Sequence, residues 1–244
     1  MSTTRIVALI TGANKGIGLE TARQLARKGL LVIIGARDEA KGRAAADAIR
    51  KEGFEARAVR IDVTDPASIA EAAKRIESDP GRLDVLVNNA GVFATGKDGP
   101  ASTTGVETFR QTFDANLFGL VAVTQAFLPL LRRSPAGRIV NLSSILGSVA
   151  EHADPNSGIY QMKVTAYDCS KAAVNMYTNH LAHELRGTAI KVNAAHPGWV
   201  KTDMGGPEAP MDVVDGAKTS VWLATLPADG PSGGFYHTQV HMRW

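Results

Sequence analysis

Seven short apolar runs, most of them rich in β-branched residues, recur along this chain of 244 residues, separated by stretches with helical spacing. That alternation constrains the fold more than any other feature. A run without a polar face reads as a strand buried on both sides. A helix between two such strands returns the chain to the starting edge, so successive strands lie parallel. The expected strands are 5–11, 30–36, 55–61, 85–87, 138–142, 189–195 and 234–240. The expected helices are 19–28, 38–53, 65–78, 109–131, 164–184 and 213–226, with 97–105 and 149–162 as loops. The sequence therefore predicts an α/β protein of one domain spanning residues 1–244. Its core is a single doubly wound parallel sheet of about seven strands with helices on both faces, Rossmann-like.

Composition narrows the class further. Apolar residues make up 44% and charged residues 21%, ordinary for a globular protein in water. A net charge of +3, interleaved with acids, points to neither nucleic acid nor membrane as a partner. The most apolar stretch, 115–131, contains Thr124, Gln125 and Pro129 and is shorter than a ~20-residue span, so a buried helix is expected. The first residues lack the pattern of a secretory signal. Cys169 is the single cysteine, which excludes an intrachain disulfide and suits a reducing compartment, so a cytoplasmic location is expected. His180 and His183 have no third candidate ligand beside them, and no metal site is expected.

In doubly wound sheets ligands bind beyond the carboxyl ends of the strands. The residues that fall there carry chemistry. After the first strand comes TGANKGIG, with Gly12, Gly16 and Gly18 before a helix. Glycines allow a tight turn and close approach of a pyrophosphate, and a helix amino terminus offers N–H groups to it. The second strand ends in Arg37, where a basic residue accommodates a 2′-phosphate and an acidic one a ribose hydroxyl. Asp62, the run Asn88-Asn89-Ala90-Gly91, Ser143-Ser144 and HPGWVKT (196–202) follow the third to sixth strands. Tyr167 and Lys171 lie four apart on an expected helix, hence on one face. An ammonium beside a phenol favours the phenolate, lowers a pKa of about 10, and makes the pair a tuned acid/base. Taken singly, each residue also has a plain structural reading: a surface pair, a strand-end cap, a glycine turn without ligand.

The set TGANKGIG, NNAG, Asn116, NLSS, Tyr167-x-x-x-Lys171 and HPGWVKT resembles the short-chain dehydrogenase/reductase family, in order and across roughly residues 5–240. TGANKGIG with GARD is most similar to its carbonyl-reductase-like branch, whose members use NADPH. The resemblance implies reduction of an aldehyde or ketone, with Tyr167 as general acid and Lys171 lowering its pKa and binding the nicotinamide ribose. Ser144, three before Gly147, would hydrogen-bond the substrate oxygen, and Asn116 would hold a water next to Lys171. Gly12, Asn14, Lys15, Gly16, Ile17 and Gly18 would wrap phosphates and adenosine. Asp62 and Val63 would meet the adenine, Asn89, Ala90 and Gly91 the adenosine side, and Pro197, Gly198, Val200 and Thr202 the carboxamide end. Oxidation of an alcohol or steroid, or NADP binding without turnover, are the alternatives.

Phe93, Ile145, Tyr160, Trp199, Met204 and Met211 flank the motifs and suggest a small apolar carbonyl or alcohol as substrate. Ser144 and Tyr167 stand farther apart than in many members of the family. The extra length lies in 149–162, which is expected to cover the helices through which such proteins pair. Monomer and homo-oligomer both stay open, with a monomer or dimer expected over a tetramer.

Overall fold

The computed structural model describes residues 5–244. Its eight strands form one sheet in the order β3-β2-β1-β4-β5-β6-β7-β8. They are β1 (Val7–Thr11), β2 (Leu31–Ala36), β3 (Ala56–Arg60), β4 (Val85–Asn88), β5 (Arg138–Leu142), β6 (Lys191–Ala195), β7 (Phe235–His237) and β8 (Val240–His241). The strands from β1 to β7 pair parallel, and β8 turns back antiparallel on β7. The doubly wound parallel sheet expected from the sequence is present, with this short hairpin added. The expected strand over 234–240 divides at Thr238 and Gln239, whose φ angles of 45° and 69° make the reversal. The Thr238 amide donates to Thr219 Oγ1 at 3.0 Å, which holds a β-branched residue in a conformation it rarely adopts.

Among the described residues eight α-helices connect the strands: α1 (Gly16–Arg27), α2 (Glu39–Lys51), α3 (Pro66–Ser78), α4 (Val106–Phe113), α5 (Gly119–Arg132), α6 (Val149–Ala153), α7 (Thr165–Glu184) and α8 (Val213–Ala224). Side chains of a strand alternate between faces, and the core divides accordingly. Val7, Leu9 and Ile33 pack with α3, α5 and α7, whereas Ala8, Ile10 and Ile34 pack with α1, α2 and α8. Both faces are covered, which is why β1 and β2 are buried throughout and almost wholly apolar.

Two helical regions depart from expectation. The helix expected over 109–131 begins earlier, at Val106, and is interrupted by a π turn, Asp114–Phe118, which contains Asn116. The continuous stretch 106–132 is long and apolar enough to cross a membrane by composition, but half of its apolar window is buried in this fold. Segment 149–162, expected as loop, opens with α6, capped by Ser148. It packs against the last residues of the chain. The Ala150 amide donates to the Trp244 carbonyl at 2.9 Å, and Arg243 bridges Glu151 and Asp154. Phe118 and Met176, on the π turn and α7, stay 58% and 60% exposed, so the segment does not cover them.

The strand order reverses direction between β1 and β4, the switch point where sheets of this kind form their ligand crevice at the carboxyl ends. Thr11 ties the two ends together, its hydroxyl accepting from the amides of Asn89 and Ala90 at 3.0 Å each.

Candidate active site

The glycine turn leaves β1 at Gly12, whose φ of +64° is one that glycine adopts without strain. Close packing fixes the next requirement. A Cβ on Gly18 would stand 2.4 Å from Asn89 Nδ2. The Asn89 amide is committed to this turn, donating to the Thr11 carbonyl at 2.8 Å and the Gly12 carbonyl at 3.3 Å. Its side chain thus holds the cradle rather than facing a ligand. Lys15 occupies the position before α1 and gives no side-chain cap, so the first amides of α1 have no side-chain acceptor. The next two helices differ, for Asp38 and Asp65 cap them locally. A helix start left uncapped beside glycines is a ready anion site. Asn14 and Ile17 lie half-buried beside it.

Lys15 itself reaches across the crevice to Asp203, and both side chains are exposed. The sequence reading assigned Lys15 to the cofactor phosphates, whereas here its ammonium closes an ion pair with the segment after HPGWVKT. Thr202 from the same segment also leans on the turn, its methyl 3.5 Å from where a Gly16 Cβ would be. Arg37 is exposed at the end of β2. Its neighbouring acids have other partners: Asp38 caps α2 and pairs with Lys41, and Glu39 pairs with Arg43. Asp62 Oδ1 accepts from the amide and hydroxyl of Thr64, which holds its carboxyl below the usual carboxylate range, and Arg37 and Arg60 add to this. The Val63 carbonyl would lie 2.6 Å from a Cβ on Gly119, so Val63 packs directly over α5.

On the other side of the crevice stand Ser144, Tyr167 and Lys171. Helix α7 places Tyr167 and Lys171 on one face, with the ammonium 5.6 Å from the phenol ring centre. Lys171 is 5% exposed and donates to the Leu142 carbonyl at 2.8 Å. A Cβ on Gly91 would come within 3.1 Å of Asn116 Oδ1 and 3.7 Å of Lys171 Nζ, so these three converge. Both Asn116 amide hydrogens and one lone pair of its oxygen are engaged. Asn116 accepts from the Val92 amide at 2.7 Å and donates to the Val92 carbonyl and Ser170 Oγ, at 3.0 Å each. Its side chain therefore locks α7 and the NNAG turn together.

Ser143 and Ser144 are separated clearly. Ser143 is buried and donates to Asn175 Oδ1 at 2.6 Å, a structural bond. Ser144 opens the short 3₁₀ turn Ile145–Gly147 and lies next to the Tyr167 phenol. Phe93 meets the Tyr167 ring edge-on, centroids 5.5 Å apart.

Charge states differ from those the pair suggests in isolation. Burial pushes the Tyr167 phenol up to about 12, with Ser144 opposing and Asp168 reinforcing. Burial also pulls the Lys171 ammonium down to about 8. Here desolvation, which disfavours either charged form, is the largest cause of both shifts.

The HPG segment is held by His196, which is buried and pushed down to about 3 by burial and then by His237. Neutral His196 accepts at Nδ1 from the Ile145 amide at 3.2 Å and the Gly198 amide at 3.4 Å. It thus ties the turn after Ser144 to Pro197-Gly198. Gly198 has φ +91°, and a Cβ there would meet Met211 Sδ at 2.2 Å. Val200 is buried and bridges to Met211, while Trp199 and Met204 stay exposed at the mouth. The sequence reading missed His196 and also Asp98, which binds the amides of Ala166 and Tyr167. The signal for Asp98 was indirect: Val164, before the helix that carries Tyr167 and Lys171, has no capping oxygen.

Comparison with known proteins identifies the family. The short chain dehydrogenase family profile matches residues 6–212. The chain is 35% identical to a carbonyl reductase (NADPH) 1 from Mus musculus, covering all of both chains. It is 31% identical to a (+)-neomenthol dehydrogenase from Capsicum annuum, over 94% of this chain and 95% of the other. The crystal structure of an NADPH-bound carbonyl reductase from chicken fatty liver superposes with a TM-score of 0.85 at 29% identity, covering 99% and 100% of the two chains. The chain belongs to the short-chain dehydrogenase/reductase family.

Proposed function

We propose that this protein is an NADPH-dependent reductase of aldehydes or ketones in which Tyr167 delivers the proton. The observation that carries the reading is the meeting of Ser144, Tyr167 and Lys171 at the crevice that also holds the uncapped start of α1. The residues present fit a dinucleotide: an uncapped helix start, a cradle that a Cβ at Gly18 would fill, and Arg37 exposed with no salt bridge among the described residues.

Gly12, Asn14, Gly16, Ile17 and Gly18 would hold the pyrophosphate and adenosine, with Lys15 joining them once released from Asp203. Arg37 would take the 2′-phosphate, and its planar fork suits two parallel bonds to phosphate oxygens. Asp62 and Val63 would border the adenine, Ala90 and Gly91 the ribose, and Pro197, Gly198, Val200 and Thr202 the carboxamide. The mouse relative and the chicken structure, both named with NADPH, support this choice. When bound, the nicotinamide supplies the hydride.

The chain's own residues do the rest. Ser144 and Tyr167 both donate to the substrate oxygen, orienting it and holding the negative charge that develops there. The Tyr167 Oη proton then passes to that oxygen. Lys171, charged below about pH 8, steadies the phenolate left behind. A phenol held near 12 is protonated at neutral pH, the state needed to give a proton. Phe93, Trp199 and Met211 around the mouth suit an apolar carbonyl compound.

The test is NADPH oxidation against a panel of aldehydes and ketones. Tyr167→Phe keeps the ring and removes the donor, and turnover should fall by the ~10²–10⁴-fold typical of general acid catalysis. NADPH binding, followed by fluorescence, should hardly change. A variant that still reduces a good substrate at the wild-type rate refutes the assignment.

A further inference from the structure

The first four N–H groups of a helix have no partner inside it. Helix α7 opens at Val164, a residue with no capping oxygen. Its amides are satisfied from another part of the chain. The Gly99 carbonyl accepts from the Thr165 amide at 3.1 Å and from Thr165 Oγ1 at 2.8 Å. Asp98 Oδ1 accepts from the Ala166 amide at 3.0 Å, and Asp98 Oδ2 from the Tyr167 amide at 2.8 Å. The Asp168 amide closes normally on the Val164 carbonyl at 2.9 Å.

Asp98 and Gly99 belong to the segment after NNAG, 69 positions before Tyr167. That segment also carries Phe93, whose ring abuts the Tyr167 ring. Tyr167 is therefore held twice from one loop, by its backbone and by its ring. The caps on α2 and α3 are local, supplied by the residue just before each helix. A local cap stabilises its helix only. A carboxylate reaching in from a distant loop also fixes where the helix start lies relative to that loop.

We propose that Asp98 is a positioning residue for the proton donor. By binding the Ala166 and Tyr167 amides with its two oxygens, it sets the first turn of α7 and so the placement of the phenol against Ser144. The proposal rests on the reading of Tyr167 as general acid. A carboxylate on two consecutive amides at a helix amino terminus is charge-assisted and favoured by the helix dipole. Asp168, one residue beyond Tyr167, does not duplicate the contact. Its Oδ2 accepts from the Val164 amide at 3.1 Å, and its Oδ1 is buried without a hydrogen-bond partner.

The experiment compares Asp98→Ala and Asp98→Asn with wild type. It measures kcat, KM for a good carbonyl substrate, NADPH affinity, and amide hydrogen exchange across 164–168. Misplacement of a reacting group by an ångström can cost ~10²-fold, so Asp98→Ala should lower kcat by about ten- to a hundredfold. KM and NADPH affinity should move by less than about threefold, because the phenol's placement weighs on the chemical step rather than on ground-state binding. The Ala166 and Tyr167 amides should lose protection. Asp98→Asn keeps one acceptor oxygen, so it should free one amide and lower kcat by a smaller factor, about three- to tenfold. A wild-type kcat in Asp98→Ala overturns the proposal, as does a loss matched by the drop in folded fraction. If Asp98→Ala does not fold, Asp98→Asn decides, and an exposed amide with unchanged kcat overturns the proposal. Tyr167→Phe separates the two ideas. An active Tyr167→Phe sinks the general-acid reading whatever Asp98 does. An inactive Tyr167→Phe beside a fully active Asp98→Ala sinks the positioning role alone.

Discussion

Gly147 offers a direct measure of how tightly the proposed reacting groups are set. It ends the 3₁₀ turn that Ser144 opens, and it lies against the backbone of α7 at Lys171. A Cβ there would come to 2.6 Å from the Lys171 carbonyl carbon and 2.8 Å from its Cβ and carbonyl oxygen. These are atoms of a regular helix and cannot rotate aside. To reach ordinary contact at 3.4 Å, the turn must retreat from α7 by about 0.8 Å. Ser144 moves with it, since its Oγ accepts from the Leu146 amide at 3.2 Å within the same turn. A donor withdrawn by most of an ångström leaves hydrogen-bonding range. Losing one such donor costs ~10²–10³-fold in kcat, and partial relaxation should leave Gly147→Ala with a loss of about ten- to a hundredfold. Overpacking should also cost ~1–3 kcal/mol of stability. Steady-state kcat on a good carbonyl substrate, with NADPH affinity and thermal melting alongside, makes the assay. A Gly147→Ala enzyme within twofold of wild type in kcat, melting at the same temperature, would falsify the reasoning.

Arg37→Asp should erase or invert the preference for NADPH over NADH. A charge-assisted hydrogen bond is worth ~1.5–3 kcal/mol, or roughly ten- to a hundredfold in the ratio of kcat/KM values. A variant that still favours NADPH as strongly as wild type, at one fixed ionic strength, rules Arg37 out as selector. The pH profile gives a further check, because the Lys171 cation is held near 8 rather than 10.5 and is lost as pH rises through that value. Reductive kcat should therefore decline on an alkaline limb near pH 8, well below the range in which Tyr167 titrates. A profile flat to pH 10 would show that Lys171 need not be charged.

The layers of this fold were legible because each strand from β1 to β6 carries its own signal. A run such as LVIIGA, apolar without alternation, has one stable setting: inside a sheet covered on both sides. The departures have equally local causes. The β7–β8 hairpin turns at Thr238-Gln239, neither of them a residue that marks a turn with positive φ, so the sequence read straight through. The π turn at Asn116 leaves the apolar helical pattern almost unbroken and reveals itself only in hydrogen bonds. Helix α6 is five residues long, too short for a period to show.

The site was legible as residues and much less so as interactions. Sequence order placed Ser144, Tyr167 and Lys171 at one edge, but the side chains of Asn89 and Asn116 hold backbone there, and Lys15 pairs with Asp203. The pKa values changed most, since spacing reports that two charges are close while burial depends on everything packed around them. On the proposed reading this has a chemical consequence. A phenol near 12 gives its proton readily only to an oxygen more basic than itself, an alkoxide rather than a neutral carbonyl. Negative charge must then build on the substrate oxygen before the proton leaves Tyr167. In that interval the oxygen is held by hydrogen bonds alone, from Ser144 and from the still-protonated Tyr167. The demand on geometry is correspondingly strict. It is met by the close packing of Gly147 on α7, the grip of Asp98 on the first turn, and the bond from the Ile145 amide to His196.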